Sequence, residues 1–341
     1  MKIAVIGANG NVGTELCYLL KDDCDLIPIV RNRIGSVFLE HNDMRCRIAD
    51  ISKPNDAKKV LSDVDIVVNS AWVADRFSGS QNQSSRLINK EIIENSVKFS
   101  KKDATIIYLS TIRAFAHKVD PTTSKFWPPR YDVEKQYLEK ILISQTAKNK
   151  KKGIVFRCGH VFGDGQPNTR LIKKILETNN ELTISVSPNT LSNVLHIVTL
   201  KDAILKCVNK EIKSGKYSLV NNPQWTWEEI FNFYNNSCKL KFTKYEQKYF
   251  SLSESLYKIL KINKKYLIPI LYRAPKKIEP RIIKELSMRK FRSEISKLNL
   301  EEFFTTGNFA YKQIPGPFLD GLEDTKKLLQ DYESKIFQLK N

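Results

Sequence analysis

The first thirteen residues, Met1-Lys-Ile-Ala-Val-Ile-Gly-Ala-Asn-Gly-Asn-Val-Gly13, constrain the chain more than any other stretch. Lys2–Ile6 is a short apolar run with β-branched residues, the pattern of a buried strand. It runs directly into Gly7-Ala-Asn-Gly10-Asn-Val-Gly13. The segment that follows, to about Leu20, has helical spacing, with Val12, Leu16, Leu19 and Leu20 on one face. A glycine-rich turn between strand and helix aims unpaired backbone N–H groups at one point, where the helix N-terminus also favours negative charge. A dinucleotide pyrophosphate suits such a site. Gly7 would allow the tight turn, Gly10 the close approach of phosphate and Gly13 the packing of helix on strand. The competing reading is a glycine turn with no ligand, and the strand placed directly before it argues against that.

The alternation continues. Asp25–Val30 is expected as the second strand, and Arg31 stands at its end with Arg33 nearby. An acidic residue there would hold both adenine-ribose hydroxyls and select NAD, whereas guanidinium groups suit a 2′-phosphate, so NADP is preferred over NAD. Residues 44–48 form a third expected strand, with Asp50 following where an adenine amino group could be met. Residues 64–69 are a buried strand leading into Ser70-Ala-Trp72, and helical spacing covers 87–99, with Asn89 near its start. Strand 105–109 ends at Ser110-Thr111, and a loop through Pro121 and Pro128-Pro129 opens a helix over 131–143. Strand 153–157 precedes Gly159-His-Val-Phe-Gly163-Asp-Gly165. This rhythm predicts an α/β fold with a doubly wound parallel sheet of the Rossmann kind.

Beyond Asp164 the rhythm changes. A helix is expected over 168–177 and a strand over 182–186; 194–197 and 201–208 read as a last strand and helix returning to the sheet. A short strand follows at 216–220. From Trp225 helices are expected to dominate: one starts at the capping box Thr226-Trp-Glu-Glu229, with Ile230, Phe231 and Tyr234 as its apolar face, and others cover 288–300 and 325–339. The expected domains are a nucleotide-binding unit at 1–163, joined by 194–222, and a smaller, mainly helical substrate-binding region from 164–193 and 223–341.

Composition narrows the class. At 341 residues with 41% hydrophobic content, the chain can bury a full core. The six cysteines (17, 24, 46, 158, 207 and 238) include no C-x-x-C pair, which suits reduced thiols in a cytoplasmic protein. With a strand expected to start at residue 2, no signal peptide is expected, and no apolar run reaches the ~20 residues needed to span a bilayer. The net charge of +19 invites an anionic partner, but the lysines are scattered. Their densest cluster, Lys148-Asn-Lys-Lys-Lys152, precedes a strand and reads as a solvated face, so nucleic acid is not expected as a partner. The run 266–272, flanked by lysines, reads as core or pocket wall rather than a membrane contact.

Tyr131 and Lys135 lie four apart at the start of a helix, hence on one face. An ammonium beside a phenol favours phenolate, so the tyrosine can give or take the proton of a hydroxyl while hydride moves at its carbon. Tyr257/Lys261 and Tyr272/Lys276 share the spacing. Position separates the first pair from these. It follows the nucleotide-binding half and Ser110-Thr111, at a strand edge of the type where ligands of open α/β sheets collect. Thr111 would share a hydrogen bond with the oxygen that Tyr131 protonates.

With these residues in place the chain resembles an extended short-chain dehydrogenase/reductase of the NAD(P)-dependent epimerase/dehydratase type. Gly7-x-x-Gly10-x-x-Gly13 is similar to the family's cofactor loop, Asp50 to its adenine contact, Asn69-Ser-Ala71 to its fourth-strand motif and Asn89 to its helix asparagine. Ser110-Thr-Ile-Arg-Ala-Phe115 resembles the fifth-strand motif, Tyr131-x-x-x-Lys135 the catalytic pair, Arg157-Cys-Gly-His-Val-Phe-Gly163 the R-P-G-x-V-Y-G run, and Leu195-His196-Ile197 the F/V-H-V run. The resemblance spans residues 1 to about 208. It implies Thr111, Tyr131 and Lys135 as catalytic residues. Cofactor contacts are implied at Gly7, Asn9, Gly10, Asn11, Val12, Arg31, Asp50, Ile51, Ser70, Ala71, Tyr131, Lys135 and Cys158, and no metal is implied.

Three departures shape the expected activity. Thr111-Ile-Arg113 stands where the family's dehydratases carry Thr-Asp-Glu, so loss of water from a sugar is not expected. Cys158 replaces the usual proline, and Val198-Thr199 the usual aspartates; His196 reads as structural. The resemblance implies hydride exchange at a carbinol or keto carbon, with a nucleotide sugar as substrate, by a ketoreductase or an epimerase. The alternatives are reduction of a non-sugar carbonyl in secondary metabolism, or a non-catalytic nucleotide sensor or RNA-binding relative. Arg170, Arg273 and Arg281 are candidates for a diphosphate, and a homodimer remains open.

Overall fold

The computed structural model describes residues 1–74, 83–115 and 131–243, apart from 185, 187, 190 and 222. The expected helices at 288–300 and 325–339, the run 266–272, the pairs Tyr257/Lys261 and Tyr272/Lys276, Arg273, Arg281 and the three prolines before Tyr131 lie outside the described residues.

Seven strands form one parallel sheet: β1 (Lys2–Ile6), β2 (Asp25–Val30), β3 (Arg47–Ile48), β4 (Ile66–Asn69), β5 (Thr105–Thr111), β6 (Lys152–Cys158) and β10 (Gly215–Leu219). Their order is β10-β6-β5-β4-β1-β2-β3, so the chain leaves β1 in one direction and later resumes on its other side at β4. Both faces of the sheet are covered, which is why its strands read as unbroken apolar runs. Ile3 and Val5 point to one core, with Leu16, Cys17 and Leu20 of α1 (Asn11–Leu20) and Leu200 and Ile204 of α7 (Ile197–Val208). Ala4 and Ile6 point to the other, with Leu61 of α3 (Pro54–Leu61), Ile93 of α4 (Gln83–Phe99) and Leu138 and Leu142 of α5 (Tyr131–Lys148). Period-two alternation along β1 thus feeds two layers of helix.

Several elements differ from expectation. The third strand shrinks to Arg47–Ile48, because Met44 is used as a core plug whose N–H donates to Leu39 O at the end of α2 (Val37–His41). Strand β9 (Val194–His196) does not rejoin the main sheet; it pairs with β7 (His160–Phe162) in a separate two-stranded sheet. The approach depends on Gly159, where a Cβ would stand 2.0 Å from Asn193 O. The strand that does return is β10, beside β6. Helix α3 begins with proline at its first turn, a start signal the periodicity alone does not reveal. After α6 (Pro167–Thr178), β8 (Glu181–Ile184) pairs in parallel with β11 (Lys239–Phe242), a short strand not anticipated in the described part of the segment after Trp225. The capping box of α8 (Trp227–Tyr234) is present: Thr226 Oγ1 accepts from Glu229 N at 3.1 Å and Glu229 Oε2 from Thr226 N at 2.9 Å.

All six cysteines are free thiols. Among the described residues no helix is long and apolar enough to cross a membrane, and no group of three or more His, Cys, Asp or Glu is placed to hold a metal ion.

Candidate active site

The carboxyl ends of β1 and β4 flank the point where the strand order reverses, the usual site of a ligand crevice in such sheets. A cavity of about 640 Å³ lies there, and Gly7, Asn9, Gly10, Asn11, Val12, Arg31, Asp50, Ile51, Ser70 and Ala71 all line it. The three loop glycines do different things. Gly7 has φ +78°, and a Cβ on it would meet Ala71 Cα at 2.8 Å; on Gly13 a Cβ would stand 2.2 Å from Gly7 O. At Gly10 a Cβ would meet only Gly7 O, at 3.2 Å, so its Cα faces open space. No side chain caps α1, and no acidic residue stands in its first turn. The N-terminus of α1 is therefore bare main chain with its positive end toward the crevice.

Side chains around the loop hold the walls. Ser70 Oγ donates to Ile6 O at 2.8 Å, and Asn69 Oδ1 accepts from Ala71 N at 3.1 Å. Asn89 grips the main chain of Val73 at both its N–H and its carbonyl, each at 2.9 Å. Asp50 Oδ1 accepts from Ser52 N and Oγ, and Asn95 Nδ2 donates to Ile51 O. Arg31 and Arg33 are both exposed, Arg31 at the crevice edge. Arg170 lines a second hollow of about 590 Å³ with Tyr18, Lys21 and Phe38, which borders the same loop at Asn9, Gly10 and Asn11, and is not among the residues lining the crevice.

Thr111, Tyr131, Lys135 and Cys158 lie beside the crevice and not in its lining. Thr111 ends β5 directly opposite Cys158, the last residue of β6. Lys135 is buried, and its Nζ donates to Leu109 O at 2.8 Å. The ammonium sits 4.6 Å from the Trp72 ring, 4.7 Å from Tyr108 and 5.7 Å from Tyr131, whose ring meets Trp72 edge-on at 4.9 Å. Trp72, which also lines the cavity, therefore joins the crevice to the Tyr131/Lys135 pair. Nothing in the spacing of the sequence singled it out; its place two residues after the Asn69-Ser70 turn was the available signal. Burial pushes the Lys135 ammonium down to about 8, opposed by Cys158 and Glu139, and burial pushes the Cys158 thiol up to about 12.

His196 is buried among Trp225 and Phe162, and burial drives its ring down to about 3, which holds it neutral. That is a core histidine. Ile112, where an acid would be needed for dehydration, is buried and apolar.

A comparison with curated proteins finds no match. Among solved structures, the chain is similar to a UDP-N-acetylglucosamine 4-epimerase from Bacillus cereus, at 21% identity over 72% of this chain and 85% of that one, with a TM-score of 0.55. It is similar also to an L-threonine dehydrogenase from Clostridium difficile (18% identity, 71% and 83% of the two chains, TM-score 0.54). A third likeness is to a dTDP-glucose 4,6-dehydratase from Bacillus anthracis (17%, 72% and 84%, TM-score 0.53). At these identities the likeness is one of fold. The family described as NAD dependent epimerase/dehydratase matches residues 3–213, well over half the sequence, and the chain belongs to that family.

Proposed function

We propose that the protein is an NAD(P)-dependent oxidoreductase that exchanges hydride at a carbinol or keto carbon of a nucleotide sugar, as a ketoreductase or an epimerase. The observation that carries this reading is the buried Lys135 ammonium, packed between Trp72 at the crevice and the ring of Tyr131. Tyr131 is itself exposed, so core packing does not account for its place beside the ammonium.

The residues fit a dinucleotide. The open face of Gly10 and the uncapped start of α1 leave main-chain donors free for a pyrophosphate. Asp50 and Ile51 suit the adenine side, and Ser70 and Ala71 the middle of the crevice. Arg31, with Arg33, favours a 2′-phosphate and hence NADP(H). Once bound, the nicotinamide supplies or takes the hydride. Tyr131 moves the substrate's hydroxyl proton, Thr111 shares a hydrogen bond with the same oxygen, and Lys135 holds the nicotinamide ribose and stabilises the phenolate. Cys158, buried beside Thr111 at the strand edge, keeps that edge uncharged. Dehydration is disfavoured because Ile112 and Arg113 offer no acid at that place. The sugar-nucleotide class is favoured by family membership and by structural neighbours such as a Thermotoga maritima epimerase determined with UDP-glucose.

The test is direct. The nucleotide that co-purifies is identified by mass, and UDP- and dTDP-sugars and their keto forms are then offered while the absorbance of reduced nicotinamide and the sugar product are followed. Turnover of a nucleotide sugar supports the reading. Turnover only of non-sugar carbonyls would replace the substrate class, and failure to bind any nicotinamide dinucleotide would overturn the whole assignment.

A further inference from the structure

Glu139 lies one turn beyond Lys135 and two beyond Tyr131 on α5, fully buried. Its carboxylate is gripped from three adjacent strands. Ser110 Oγ of β5 donates to Oε1 at 2.6 Å; Arg157 of β6 donates through Nε to Oε1 at 2.9 Å and through Nη2 to Oε2 at 2.6 Å. Lys216 Nζ of β10 stands 3.4 Å from Oε2. Ser110 and Arg157 are register partners, and the next pair along the same two strands is Thr111 and Cys158. The clamp therefore closes one residue short of the strand edge at the candidate site.

We propose that Glu139 is a positioning residue for this site: it sets the edge from which Thr111 and Cys158 project, and it places a buried carboxylate one turn along α5 from the buried Lys135. This rests on the reading of Tyr131 and Lys135 given above. Among the described side chains, the titratable groups around Lys135 are Tyr131 and Glu139 on α5, Tyr108 on β5 and Cys158 on β6. Burial pushes the Tyr108 phenol well above its ordinary value, and the thiol is neutral wherever Lys135 titrates. Glu134, also on α5, is paired with Arg86 of α4. Among the described side chains, that leaves Glu139 as the anion opposing the desolvation of Lys135. Without it, Arg157 and Lys216 would add two uncompensated cations to the same neighbourhood.

The experiment is a pH titration of the full chain labelled with 13C at lysine Cε, the Lys135 signal being assigned by its loss in Lys135→Arg. Glu139→Gln keeps the shape and removes the charge, and the Lys135 midpoint is expected to fall by about one pH unit or more. Lys216→Met, at the rim of the clamp, is expected to move it the other way. An unchanged midpoint in folded Glu139→Gln overturns the proposal. If Glu139→Gln does not fold, an unchanged or lowered midpoint in Lys216→Met overturns it. With an active substrate, the alkaline limb of kcat/KM should fall with the midpoint in Glu139→Gln and return toward wild type in Glu139→Asp. Normal turnover by Tyr131→Phe would sink the functional reading while leaving the lysine titration to stand or fall by itself.

Discussion

Between residues 7 and 13 the crevice is walled by main chain, whereas between residues 108 and 158 an exposed Tyr131 is backed by the buried side chains of Tyr108, Lys135, Glu139 and Arg157. In the first region the groups available to a ligand are main-chain N–H donors at the start of α1, and Gly7 and Gly13 allow close main-chain approaches that a Cβ would block. In the second, a lysine, a glutamate and an arginine are held out of water by Ser110, Leu109 O and the rings of Trp72 and Tyr108. Main-chain donors do not titrate and cannot be lost by changing a side chain; only added bulk removes them. Buried charges do titrate, and each depends on its partner. One region should therefore respond to volume and the other to charge.

The largest effect is expected from bulk in the loop. Gly10 sits at φ −79° and ψ 166°, which valine adopts readily, so Gly10→Val should keep its circular dichroism spectrum and lose cofactor binding. Retained tight binding by fluorescence titration would mean that the loop is only a turn. Next comes Tyr131→Phe, expected to lower kcat by ~10²-fold or more with cofactor affinity nearly unchanged. A similar loss of cofactor affinity in this variant would erase the contrast between the two regions.

Lys135→Met separates activity from stability. Burial lowers the folded pKa of Lys135 from 10.5 to about 8. The unfolded chain therefore holds more protons between those values, and wild-type stability should rise with pH from about 8 to 10.5. Below pH 8 the penalty is constant, with an upper bound of about 3 kcal/mol at ~1.36 per unit, less ~1 for the lost bond to Leu109 O. Lys135→Met should thus unfold at higher urea concentration than wild type at pH 7, lose that advantage by pH 10.5 and be inactive. Equal denaturation midpoints at both pH values would show that the charge is not buried at a cost. The smallest effect is at the rim: Arg31→Asp should reverse an NADPH preference of about tenfold, or ~1.4 kcal/mol, and equal wild-type affinities for NADPH and NADH would remove that claim.

Much of the crevice was legible because its requirements are local. A positive φ at Gly7, an open Cα at Gly10 and a closed contact at Gly13 fall within one turn, and only glycine meets all three. Strand and helix periods likewise needed no partner to be read, so the alternation and the shared face of Tyr131 and Lys135 could be anticipated. Pairing could not be read in the same way. Glu139 meets Ser110 across 29 residues and Arg157 across 18, and Trp72 meets Tyr131 across the strand order β4-β5. The departure of β9 to pair with β7, and the pairing of β11 with β8, were equally invisible. Sequence spacing states which face of an element a residue occupies. What that face meets depends on strand order and register, which are settled only when the whole sheet packs.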